Sequence, residues 1–73
     1  MNQKAKEIVE QAWRDYGVAF SSEQGKRVLE DLMRQCYMDT LTYVPGDMQG
    51  SAFNEGKRFI GLHIKRILEY KPQ

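Results

Sequence analysis

The sequence predicts an all-α domain: a three-helix bundle, or a helical hairpin completed by an N-terminal helix, with an ordered loop between the last two helices. Three observations lead there. Apolar residues recur at helical spacing in three stretches, each stretch is bounded by capping or turn residues, and the one extended-looking run has no second strand to pair with. The 73 residues are read as a single small domain, its motif-bearing part at about 16–68.

The first helix is expected over about Gln3 to Tyr16, with Ala5, Ile8, Val9, Ala12, Trp13 and Tyr16 on one face and Lys4, Lys6, Glu7, Glu10, Arg14 and Asp15 elsewhere. Gly17 reads as its stop, since glycine enters the left-handed conformation without a Cβ penalty. Val18, Ala19 and Phe20 then form a short apolar link. Ser21-Ser22-Glu23-Gln24 supplies a Ser-x-x-Gln capping box with Ser21 as N-cap. The second helix should run to about Tyr37 and bury Val28, Leu29, Leu32, Met33 and Cys36. Gly25 in its first turn costs roughly 1 kcal/mol against alanine, which points to close packing there.

From Met38 to Gly50 the period breaks. Leu41, Tyr43 and Val44 alternate with threonines, but the run ends at Pro45-Gly46-Asp47, a turn signal, and is read as an ordered loop. Asp47 or Ser51 can cap the last helix, expected from about Gly50 to Tyr70. Phe53, Ile60, Ile64, Ile67 and Leu68 form its principal core stripe, with Gly56 on the same side and Gly61 off it.

Composition narrows the chemistry. A chain of this length buries only about 60% of its unfolded surface, so its core is thin. Cys36 and His63 are the only residues of their kinds, so neither an intramolecular disulfide nor a Cys/His metal site is expected. Cys36 is read as a small buried hydrophobe and His63 as a buried or half-buried structural residue at the edge of the last stripe. No phosphate-cradling loop, paired carboxylates or nucleophile constellation is legible. The expectation is therefore a protein that is not an enzyme and has no cofactor. Oligomerisation, or docking on a larger assembly, is the remaining way to stabilise so small a core. The net charge of +1, with both signs intermixed, argues against binding driven by bulk charge. No run of about 18 apolar residues could span a membrane, and no signal-peptide core follows Met1.

Gly-Lys-Arg occurs twice, at Gly25-Lys26-Arg27 and Gly56-Lys57-Arg58, each time opening an apolar run. Bases at a helix start oppose the dipole, which hints at a specific partner for Lys26, Arg27, Lys57 and Arg58. Tyr37, Tyr43, Met48 and Phe59 lie off the stripes and are candidate contact residues.

The stretch from Tyr16 through Phe20-Ser21-Ser22-Glu23-Gln24-Gly25-Lys26-Arg27-Val28-Leu29-Glu30-Asp31-Leu32 to Cys36, followed by Phe53-Asn54-Glu55-Gly56-Lys57-Arg58 and Gly61-Leu62-His63-Ile64, resembles the Bbp-nineteen-type small domain family of tailed bacteriophages. Gly25, Arg27, Leu29, Leu32, Cys36, Phe53, Asn54, Glu55, Gly56 and Arg58 match that family's two blocks. The resemblance implies a product of a podophage virion-morphogenesis cassette, located in virion and host cytoplasm, and attaches no catalytic role to any residue. Asn54 and Glu55 join the candidate interaction residues as a polar knot, with Glu55 expected to pair with Arg27 across the hairpin. The function expected is non-enzymatic: a structural or assembly protein that binds other copies or a larger virion component such as portal, neck or internal proteins. The alternative is a small phage inhibitor that binds a host protein. DNA binding through the basic pairs is the weaker third reading.

Overall fold

The computed structural model describes residues 2–71 and contains three helices: α1 (Gln3–Ala19), α2 (Glu23–Gln35) and α3 (Met48–Leu68). The fold is all-α, as the sequence predicts. Each helix starts on a side chain that accepts a backbone N–H left over at the N-terminus. Asn2 accepts from Ala5 at 2.8 Å, Ser22 from Gly25 at 2.9 Å and Asp47 from Gly50 at 2.8 Å.

Five boundaries differ from expectation, among them the end of α2, at Gln35 rather than Tyr37, and both ends of α3, which runs from Met48 to Leu68 rather than from Gly50 to Tyr70. Gly17 does not stop α1: the helix runs on through Val18 to Ala19, and the Phe20 N–H still bonds to the Tyr16 carbonyl at 3.1 Å. That extension changes the next cap. Ser21 turns back to serve the end of α1, its hydroxyl donating to the Val18 carbonyl at 2.9 Å, so the N-cap of α2 passes to Ser22. Gly25 fits this tight corner, where a Cβ would lie 2.5 Å from the Ala19 carbonyl oxygen and 2.9 Å from the Phe20 Cα.

The end of α2 is more unusual. The N–H groups of Tyr37 and Met38 bond to the carbonyls of Arg34 and Met33, both at 3.1 Å, which is the paired closure of a Schellman motif. The left-handed position of that motif is usually glycine. Here it is Tyr37, at φ 56°, a conformation that costs a side-chain-bearing residue about 1–2 kcal/mol. The Pro45-Gly46 turn forms as expected, with Gly46 at φ 76° and the Asp47 N–H bonded to the Val44 carbonyl at 3.0 Å.

α3 is the spine, and α1 and α2 each pack on it. The chain does not close around a core. Its Cα radius of gyration is 14.9 Å, whereas a compact chain of this length has about 11 Å. Its accessible surface is 5842 Å², roughly 1,200 Å² above the value expected for a folded monomer of 8.5 kDa. Among the described residues the buried apolar side chains are Cys36 and Ile64, and no large side chain is fully enclosed. Val28 and Ile8, expected inside, are exposed, while Leu29, Leu32 and Met33 are half-buried. No described helix is long and apolar enough to cross a membrane.

Candidate interaction surface

The site begins with what α3 buries. One stripe along it carries Ser51, Asn54, Glu55 and Arg58, residues three and four apart that share a face. All four bond to the loop between α2 and α3. The Asn54 amide donates to the Thr42 carbonyl at 3.1 Å, and the Thr42 hydroxyl bonds to the Glu55 carboxylate. The Ser51 hydroxyl accepts from the Val44 N–H at 2.7 Å. Arg58 donates to the carbonyl of the left-handed Tyr37 at 3.0 Å. Asn54 is only 8% exposed, and no buried side-chain polar atom among the described residues lacks a partner.

These bonds answer a physical requirement. An irregular segment offers N–H and C=O groups that cannot pair with one another, so something else must satisfy them where water is displaced. The polar stripe of α3 does this for Tyr37, Thr42 and Val44. Below it, Gly61 removes the last obstacle to close approach: a Cβ there would lie 2.8 Å from both the Cys36 Cβ and the Met38 sulfur.

The polar stripe turns the opposite face of α3 outward. Phe53 and Phe59 are each 66% exposed, Ile60 is 51% exposed and Met48 88%. Ala52, Gly56 and His63 lie among them and are exposed too. A Cβ at Gly56 would meet nothing within 4 Å. The expected core stripe is thereby split: Ile64 is buried and Ile67 and Leu68 half-buried, while Phe53 and Ile60 face solvent. Gly61, off the stripe by spacing, is at the buried contact. His63 is exposed rather than buried, its ring edge-on to Tyr16 at 6.4 Å.

The ten candidate interaction residues therefore divide. Asn54, Glu55 and Arg58 hold the loop, Asn54 buried, Arg58 half-buried and Glu55 exposed. Tyr37 anchors its start, with Lys57 Nζ 5.4 Å from its ring and 4.7 Å from that of Phe53, two cation–π contacts that keep Lys57 half-buried. Tyr43, Met48 and Phe59 are free and exposed, as is Leu41, whose place in an irregular segment gives it no stripe to stand out from. Lys26 pairs with Glu23 of its own helix at 3.7 Å, and Arg27 is exposed. The two Gly-Lys-Arg segments are not equivalent helix starts: Gly25 is in the first turn of α2, whereas Gly56 lies mid-helix because α3 begins at Met48. Glu55 is bonded to Thr42, not to Arg27.

A concavity lies between α2 and the end of α3. Its apolar floor is Leu29, Met33, Met38 and Leu68, its rim carries Glu30, Arg34, Asp39, Lys65 and Glu69, and it encloses about 640 Å³ open to solvent. Cys36 is buried beneath Gly61, and no three His, Cys, Asp or Glu side chains converge on a metal position among the described residues.

A family model described as Bbp19-like phage protein matches residues 16–72, which takes in the end of α1, all of α2, the loop and all of α3. No curated protein and no solved structure matches the chain.

Proposed function

The chain belongs to the Bbp19-like phage protein family, and on that premise we propose that this bacteriophage protein is a non-enzymatic structural or assembly component, which works in the virion and host cytoplasm by binding other copies or a larger virion protein. The observation that carries this reading is the outward apolar face of α3. Phe53, Phe59, Ile60 and Met48 are held out by a helix whose polar side chains are spent on its own loop. Large exposed apolar groups cost free energy in water and are the usual anchors of a protein contact. Portal, neck and internal proteins are the virion components this role would serve.

Mass spectrometry of purified virions tests it, alongside affinity capture from infected cells with the wild-type chain and a Phe53→Ser/Phe59→Ser variant. Presence in virions, with virion proteins captured by the wild type and lost in the variant, is expected. A chain absent from virions that instead recovers one host protein in stoichiometric amount would overturn the assembly role in favour of a host-directed inhibitor.

A further inference from the structure

We propose that the outer face of α3 pairs with the same face of a second copy of this chain, antiparallel and about a two-fold axis near Gly56. The inference rests on the reading of that face as the binding surface and adds its occupant.

Position on the helix comes first. At 100° per residue Ala52, Phe53, Gly56, Phe59 and Ile60 fall within about 120° of arc, with Gly56 in the middle. None of the five carries a charge. Lys57 beside them is already stacked on the Phe53 and Tyr37 rings, and Gln49 and His63 lie on the same arc, but its large exposed groups, Phe53, Phe59 and Ile60, are apolar and fit a surface of their own kind. Antiparallel pairing centred on Gly56 makes it self-complementary: Ala52 and Phe53 before the glycine meet Ile60 and Phe59 of the second copy after it. In a two-fold contact each such pair forms twice.

Gly56 supplies the second argument. With nothing within 4 Å of the position its Cβ would take, the helix backbone is bare at the centre of the stripe. A glycine inside a helix weakens it, and no neighbour within the chain requires this one. Close approach of another backbone would give the bare position a use, as the approach of Cys36 and Met38 does for Gly61 on the opposite face.

Area and charge agree. The chain exposes roughly 1,200 Å² more than a folded monomer of its mass should, and a stable two-fold interface removes about 800 Å² from each partner. One pairing therefore accounts for most of the excess. The net charge of +1 means that two copies scarcely repel.

Sedimentation equilibrium of the full chain over a concentration series tests the pairing. The expected mass is twice the 8.5 kDa of the chain, and Gly56→Leu and Phe59→Asp should each weaken the dimer at least about ten-fold. Both positions are open in the single chain, so circular dichroism should show helix content retained. Met33→Glu, in the groove on the other side, should leave the dimer intact. A wild type that stays monomeric, a mass above the dimer, or a dimer lost with Met33→Glu but kept with Gly56→Leu would each overturn the proposal. A monomer still found in virions would do so while leaving the assembly role standing.

Discussion

The two faces of α3 contrast in a way that inverts the usual rule. The inner face is lined by Ser51, Asn54, Arg58 and Gly61, polar or small, and it is in contact. The outer face is lined by Phe53, Phe59, Ile60 and Met48, large and apolar, and it is open. In a self-contained helical domain the apolar stripe turns inward. Here the loop between α2 and α3 takes the inward position, because its unpaired backbone groups need hydrogen-bonding side chains and α3 provides them on one stripe. What the inner face gains in loop order, the outer face leaves exposed. The same helix thus serves as scaffold on one side and as contact surface on the other.

Substitutions at the two faces should break or sharpen this contrast. The largest effect is expected at Gly61. Gly61→Val drives side-chain atoms into the Cys36 and Met38 contact and should cost about 3 kcal/mol by chemical denaturation, the upper range for overpacking. Asn54→Ala comes next, removing the amide from a buried position and leaving the Thr42 carbonyl without its donor. A loss of about 2 kcal/mol is expected, with faster amide hydrogen exchange across residues 41–44. At the outer glycine the sign reverses. Gly56→Ala, measured in a Phe59→Asp background that keeps copies apart, should raise stability by about 1 kcal/mol from helix propensity alone. The smallest effects separate two possible partners of Glu55. A Thr42→Ala/Glu55→Ala double-mutant cycle should show a coupling of about 0.5 kcal/mol, and an Arg27→Ala/Glu55→Ala cycle none above error.

The contrast also explains which parts of the molecule were legible in the sequence. Helix number, the Pro45-Gly46 turn and the close packing at Gly25 follow from local chemistry, and the structure has them all; of the two caps the sequence offers for α3, Asp47 and Ser51, it uses Asp47. The phase of α3 did not follow. Periodicity identifies an apolar stripe but carries no sign for inward or outward, so by spacing alone Phe53 and Ile60 belong to the core beside Ile64 and Leu68. A usable signal was present: Ser51, Asn54 and Arg58 share one helical face beside an irregular segment whose backbone needs partners. Thr42 was not legible, because its role depends on loop geometry that no spacing encodes. Tyr37 hid the end of α2, since a left-handed cap is read from glycine and not from tyrosine. Gly61 looked like a weakness in a helix until Cys36 and Met38 stood against it.

The two-fold pairing across Gly56 can be tested most directly by disulfide trapping. A two-fold axis near Gly56 places residue 56 of one copy close to residue 56 of the other, whereas Val28 on α2 has no such counterpart. Gly56→Cys should oxidise rapidly to a covalent dimer that keeps its helical circular dichroism, with Val28→Cys remaining largely reduced under the same conditions. Equal, slow oxidation at both positions would contradict the account.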